Sequence, residues 1–335
     1  MSLQNRFICW TLRRRFLPVT RAPIDVARTR AGTSKRLWLP QVPQGWQLRE
    51  QTGEPLSAGA PGDAPLRGEW LVREGGAPRT VLYLHGGGYY FCSPKTHRAI
   101  TFGLATRADA DVFSLDYRLA PEHPFPAALD DALAAYRRLL ADGVRPESLV
   151  IAGDSAGGGL ALATLVALRD AGVRLPAGAL LYSPWTDLAV TGESIRTNDG
   201  RDPMFCGDVF ARVAALYLGA ASATDPYVSP LYAEFQGLPP LFMLAGSTET
   251  LLDDTLRVAQ RARAAGVQVE CEIGRGLPHI WPIYAPFMPE ARRALDDSAR
   301  FVKRVTAIDA TARAQKSAPP GRDATAQSSE TSISS

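Results

Sequence analysis

The chain has 335 residues, 46% of them apolar and 21% charged, which is the balance of an enzyme-sized globular protein and excludes a disordered or membrane-embedded chain. Thirty-seven basic against thirty-four acidic residues give a net charge of +3, too small a field for a dedicated nucleic-acid binder. The four cysteines, Cys9, Cys92, Cys206 and Cys271, form neither a CxxC pair nor a set at metal-ligand spacing, so no metal, no cofactor and no disulfide framework is expected, and a cytoplasmic setting fits best.

In chain order, residues 1 to about 50 stand outside any βα rhythm. They begin with RFICWTLRRRFL, a basic-aromatic stretch that reads as a helix with one face packed on the body, or else as a membrane-surface helix. No apolar run reaches the roughly 20 residues that span a bilayer, so no integral membrane segment is expected.

From about residue 69 short apolar runs alternate with helix-patterned segments, the rhythm of a mostly parallel sheet flanked by helices. Six strands are predicted: TVLYLHG to Gly86, ADVFSLDY to Tyr117, SLVIAGD to Asp154, GALLYSPW to Trp185, PLFMLAG to Gly246 and QVECEIG to Gly274. Helices are expected over 127–143 and 156–172, each closed by a glycine. The stretch 187–232, rich in Gly, Asp and Pro, breaks the rhythm and is expected to join the N-terminal segment as a helical cap over the strand ends. A tail from 305 to 335, rich in Ala, Ser, Thr and Pro, lacks the apolar residues to offset its ordering entropy and is expected to be disordered. The expected layout is thus an N-terminal cap segment over 1–50, a catalytic domain over 51–304 with its insertion, and the tail.

Four features carry chemistry. GDSAG at 153–157 follows a β-branched apolar run and opens a helix, the context in which a serine is pushed outward on a tight turn; Ser155 is the candidate nucleophile and the Ala156 amide a candidate oxyanion donor. The first strand runs into HGGG at 85–88, a loop suited to presenting bare backbone N–H groups, so Gly87 and Gly88 are the other donors, and Tyr89 and Tyr90 are candidates to line the substrate pocket. Of four histidines, His85, His97 and His123 sit in the glycine loop, a helix-like stretch and a proline-braced turn, which leaves His279, after the last strand, as the base. For the acid that orients it, Glu249 stands just past a strand end, whereas Asp253 and Asp254 fall in a first helical turn and complement the helix dipole; Asp253 is kept as the alternative.

HGGGYY at 85–90, DYRLAPEHPFPAALDDA at 116–132 and GDSAGG at 153–158, in that order, resemble the hormone-sensitive-lipase-like branch of the α/β-hydrolases, which includes many bacterial esterases. The resemblance covers about residues 20–303 and implies an α/β-hydrolase fold with a helical cap, a Ser155–Glu249–His279 triad and oxyanion donors Gly87, Gly88 and Ala156. One departure concerns the acid: many members carry aspartate in a DPLxDE segment, where this chain reads ETLLDD with Glu249 at the aligned position. The expected activity is a serine carboxylesterase on small to medium acyl esters through an acyl-serine. Alternatives are a lactone or amide hydrolase with the same triad, or a non-catalytic receptor on a hydrolase scaffold. A small-molecule ester is the expected partner, without nucleic acid, and a homodimer is compatible with the chain. The DYRLAPEHPFP loop, with Asp116 and Arg118, is expected to brace structure, and Asp154 to be a structural or electrostatic neighbour of the serine.

Overall fold

The computed structural model describes residues 1–35, 39–53 and 66–307. Its centre is one eight-stranded sheet: β1 (Trp46–Thr52), β2 (Arg67–Arg73), β3 (Arg79–Leu84), β4 (Ala110–Leu115), β5 (Leu149–Asp154), β6 (Gly178–Tyr182), β7 (Leu241–Gly246) and β8 (Val269–Gly274). The spatial order is β1-β2-β4-β3-β5-β6-β7-β8. β2 is antiparallel to both neighbours, and every other pairing is parallel. The six strands read from the sequence are β3 to β8. The two it missed are the antiparallel edge pair, where WQLREQT needs to be apolar on at most one face and so shows no apolar run. β1 straddles residue 50, so the boundary expected there falls inside the sheet and the N-terminal segment outside it ends before Trp46.

Among the described residues ten α-helices accompany the sheet: α1 (Leu3–Arg15), α2 (Leu17–Arg21), α3 (Val26–Lys35), α4 (Arg98–Ala108), α5 (Ala127–Ala141), α6 (Ala156–Asp170), α7 (Ser194–Thr197), α8 (Val209–Leu218), α9 (Leu252–Ala264) and α10 (Pro289–Val305). Alternate strand residues point to opposite faces, and the core divides accordingly. Leu82, Leu84, Ile151 and Leu181 pack with α5, α6 and α9, while Val81, Tyr83, Val150 and Leu180 pack with α4 and α10. Because both faces are covered, β3, β5, β6 and β7 are buried along almost their whole length, which is why they read as continuous apolar runs. Past α10, the expected tail lies outside the described residues from 308 onward.

The chain leaves β3 through α4 to β4 on one side, then crosses to β5 on the other side of β3. Strand order reverses between β3 and β5, the switch point at whose carboxyl ends open α/β sheets place their ligand sites. Over that edge α1 and α2 pack on the 187–232 insertion. Phe16 meets Phe205 edge-on at 5.8 Å, the Cys206 thiol donates to the Thr20 carbonyl at 3.2 Å, and Arg212 donates to the Ala22 carbonyl at 2.6 Å.

Candidate active site

Ser155 stands between β5 and α6 with φ 53° and ψ −124°, a conformation that costs a non-glycine residue about 1–3 kcal/mol and persists only where surroundings impose it. The packing around the turn imposes it. A Cβ at Gly153 would overlap the Gly157 carbonyl, and one at Gly157 would overlap the carbonyls of Leu84 and His85 at the end of β3. The turn therefore closes only with glycine on both sides of the serine. Its backbone is further tied to β6, Ser155 N–H donating to the Tyr182 carbonyl at 2.8 Å and its carbonyl accepting from Trp185 N–H at 2.9 Å.

One strand away, the HGGG loop wraps on itself. The N–H groups of Tyr90 and Phe91 donate to the Gly87 carbonyl at 3.0 and 3.1 Å, and Gly87 and Gly88 take φ of 111° and 55°. Gly86 N–H is already committed, donating to Asp154 Oδ1 at 3.1 Å. Among the described residues the N–H groups of Gly87, Gly88 and Ala156 meet no acceptor, Ala156 being the first residue of α6, where a helix leaves its amides unpaired. The free Ala156 amide and the positive end of α6 thus directly follow Ser155, and the HGGG loop leaves the neighbouring strand β3.

His279 follows β8 and is buried, its Nδ1 at 2.7 Å from Glu249 Oε2. Burial pulls the imidazole pKa down, but the charge and hydrogen bond of Glu249 outweigh it and hold the pKa above 6.5. The other ring nitrogen, Nε2, is buried without a hydrogen-bond partner, and Ser155 Oγ makes no hydrogen bond to it in this structure. The two residues are linked indirectly at the carboxyl ends of β5 and β6. Ser183, directly after the Tyr182 that binds Ser155, donates from its hydroxyl to Glu249 Oε1 at 2.8 Å and accepts from Ile280 N–H, the residue after His279, at 3.1 Å.

Of the acid candidates, only Glu249 touches His279. Asp253 instead caps the insertion, its Oδ2 accepting from Ser194 N–H at 2.8 Å, and Asp254 accepts from Thr186 and Asp187 N–H at 2.6 and 2.9 Å. The insertion also secures the Glu249 turn: Asn198 Nδ2 donates to the Glu249 carbonyl at 2.8 Å, and buried Asp202 accepts from Thr250 N–H at 2.8 Å.

The pocket candidates are placed differently. Tyr89 is 1% exposed, with its ring stacked on Tyr217 at 3.7 Å, so its face is taken up by packing. Tyr90 is buried against Phe91 at 4.7 Å. Two surface hollows, of about 390 and 330 Å³, are lined by residues around Gln47 and Arg73 and around Tyr232 and Arg261, and none of the site residues borders either.

Behind Ser155 lies a buried polar network that pattern reading did not find. Asp154 accepts from Tyr83 Oη at 2.6 Å and from Gly86 N–H, with His97 Nε2 at 3.2 Å. Burial alone would raise its carboxyl pKa, yet His97 and these donors hold it below the usual value. His85 is buried too, pushed down to about 3 by burial and the nearby His97, and its ring stacks on Tyr117 at 4.3 Å. Tyr117, in the DYRLAPEHPFP loop, donates to the His85 carbonyl at 2.7 Å, while Arg118 N–H and Nε hold Asp131 of α5 at 2.8 and 2.9 Å. That loop does brace structure, through Asp131, whereas Asp116 is exposed. Among the described residues no group of three His, Cys, Asp or Glu side chains converges as a metal site requires.

Residues 81–283 match the family model described as alpha/beta hydrolase fold. The chain is 44% identical over 252 residues to an acetyl-hydrolase of Streptomyces hygroscopicus, covering 73% of this chain and 84% of that one. It is 37% identical over 239 residues to an esterase of Acinetobacter venetianus, covering 71% and 79%. An esterase crystal soaked with p-nitrophenyl butyrate superposes with TM-score 0.83 at 38% identity, covering 92% of this chain and 100% of that one. A crystalline esterase from the bacterial hormone-sensitive lipase family does so with TM-score 0.81 at 38% identity, covering 91% and 99%. With its mostly parallel sheet, its serine on a strained strand-to-helix turn and these likenesses, the chain belongs to the α/β-hydrolase family, in the hormone-sensitive-lipase-like branch of bacterial esterases.

Proposed function

We propose that the protein is a serine carboxylesterase that hydrolyses small to medium acyl esters, with Ser155 as nucleophile, His279 as base and Glu249 as the acid orienting it. The observation that carries the reading is His279 itself: Nδ1 is fixed on Glu249 at 2.7 Å, while Nε2 is buried without a partner. A buried unpaired nitrogen costs about 1–3 kcal/mol, which a hydroxyl proton donor at that atom recovers. With Nδ1 protonated against the carboxylate, Nε2 is the acceptor tautomer that a base requires. The names of the acetyl-hydrolase and esterase relatives agree with an acyl ester as substrate.

Ser155 Oγ adds to the ester carbonyl carbon as its proton passes to His279 Nε2, and the carbonyl oxygen takes the negative charge among the amides of Gly87, Gly88 and Ala156. The carbonyl re-forms, the bond to the alkoxy oxygen breaks, and His279 returns the proton to the departing alcohol. Water then repeats the addition, giving its proton to His279; the acyl bond to Ser155 Oγ breaks and the serine is reprotonated. The net change is ester plus water to acid plus alcohol. Because His279 must be neutral to accept a proton, activity falls as the pH drops through its pKa, which lies above 6.5.

Steady-state hydrolysis of p-nitrophenyl acetate and butyrate by the native protein and by Ser155→Ala tests the reading. Native turnover that Ser155→Ala lowers by about 10³-fold or more is expected; equal rates, with both proteins folded by circular dichroism, overturn it.

A further inference from the structure

The outward face of α1 is apolar where packing on the body gives it no reason to be. Its inner face is fully used. Ser2 N–H and Oγ donate to the Glu290 carboxylate at 2.7 and 2.8 Å, buried Asn5 donates to the Gly276 carbonyl at 3.0 Å, Ile8 packs on the core, and Arg13 donates to the Gly200 carbonyl at 2.9 Å. These bonds hold the helix in a fixed orientation. On the opposite side Leu3, Phe7 and Trp10 fall at successive helical turns and are 77, 67 and 53% exposed. Phe7 stacks on Trp10 at 6.0 Å and the Arg14 guanidinium lies over the Trp10 ring at 5.5 Å, so the stripe is one continuous surface. Five of the eleven exposed large apolar side chains among the described residues lie within the first nineteen positions, which marks a patch rather than scatter.

Charge singles out the occupant. Residues 1–24 contain five arginines (Arg6, Arg13, Arg14, Arg15 and Arg21) and no acidic residue, leaving thirty-two basic and thirty-four acidic residues in the other 311. The chain's positive excess thus sits wholly in this segment. Among the described residues Arg6, Arg14, Arg15 and Arg21 form no ion pair and all four are exposed, Arg6, Arg14 and Arg15 on the helix that carries the aromatic stripe. An aromatic ridge flanked by unpaired arginines matches the boundary of a bilayer, where rings enter the headgroup layer and guanidinium groups meet anionic lipid. A helix of 13 residues lies on such a surface and does not cross it.

We propose that the outward face of α1 docks the protein on membranes containing anionic lipid. The docking is independent of the reaction assigned to Ser155, because none of its residues belongs to that site. Flotation of the full chain with phosphatidylcholine vesicles, and with vesicles containing about 30% phosphatidylglycerol, tests it. Each arginine at the surface contributes about fivefold to partitioning, so binding to the anionic vesicles is expected, with little to the neutral ones, and is expected to weaken as salt is added. The double variant Phe7→Ser/Trp10→Ser and the charge variant Arg14→Glu/Arg15→Glu are each expected to lose about tenfold or more in anionic-vesicle binding, with turnover of a soluble ester within about twofold of native. The proposal is overturned by native protein that stays off anionic vesicles, by a double variant that binds as native does, or by sedimentation showing a dimer that Phe7→Ser/Trp10→Ser disperses, since a second copy would then cover the face.

Discussion

Replacing Glu249 by glutamine keeps the size of the side chain and removes only its charge and one acceptor, yet the three donors around the carboxylate cannot all accept the change. Oε1 receives the Ser183 hydroxyl at 2.8 Å and the Gly246 N–H, and Oε2 receives His279 Nδ1 at 2.7 Å. If the amide oxygen takes the first position, its NH₂ faces Nδ1 and forces the imidazole proton onto Nε2, the atom that must accept from Ser155. If the oxygen faces His279 instead, the NH₂ meets the Gly246 N–H, and two buried donors opposed cost about 1–3 kcal/mol. The first arrangement is the wrong-tautomer state that costs a serine protease about 10⁴ in kcat, so a fall of about 10³–10⁴ with KM within a few-fold is expected. Loss of the carboxylate charge also removes what holds the His279 pKa above 6.5, so the acid limb of the remaining activity moves to lower pH. Asp253→Asn is the control, because Asp253 contacts Ser194 and not His279; it is expected to stay within about threefold of native. Measuring kcat and KM on p-nitrophenyl butyrate from about pH 5 to pH 9 separates the cases. Glu249→Gln retaining more than about a tenth of native kcat, or losing less than Asp253→Asn, refutes the assignment of the acid.

Two further predictions concern stability. Gly157→Ala drives a Cβ into the carbonyls of Leu84 and His85, backbone that cannot step aside, and is expected to cost more than about 3 kcal/mol in urea unfolding. Gly32→Ala in α3, with nothing within 4 Å, is expected to stay within about 1 kcal/mol of native, and equal costs would refute the packing argument. Burial raises the Asp254 carboxyl from 3.8 to about 7, against the pull of its Thr186 and Asp187 amide donors. A pKa raised in the folded state means the stability present below the unfolded value is lost as pH rises from about 4 through about 7, on the order of 4 kcal/mol if burial is complete. Asp254→Asn keeps an oxygen for both amides, so its melting temperature is expected to fall less than the native one between about pH 5 and pH 8; parallel curves refute the buried charge.

The elements legible in the primary structure are those whose local chemistry has no alternative. Central strands covered on both faces must be apolar almost throughout, so β3 to β7 declare themselves, while the edge strand β8 shows only the alternation of Val269, Cys271 and Ile273 with Glu270 and Glu272; the chain has only one histidine after it. GDSAG is likewise self-declaring: side chains at 153 or 157 would collide with backbone, so the glycines report the turn directly. The outer antiparallel pair β1 and β2 stayed hidden because both are half in water and WQLREQT and RGEWLVR hold their few buried residues among charged ones, with no apolar run to mark them.

Tertiary structure alone decided the pairings between segments far apart in the chain. Glu249 and Asp253 both looked able to serve as the acid; the turn after β7, held by Asn198 and Asp202 from the insertion, sets Glu249 against His279 and sends Asp253 to Ser194. Ser183 drew no notice in the sequence, since a serine after a strand is ordinary until β6 and β7 set it beside Glu249. The contacts of Asp154 with Tyr83, Gly86 and His97 and the outward turn of Phe7 and Trp10 belong to the same class. Composition and periodicity record what each segment must satisfy by itself, whereas a hydrogen bond between two strand ends exists only once the sheet has placed them side by side.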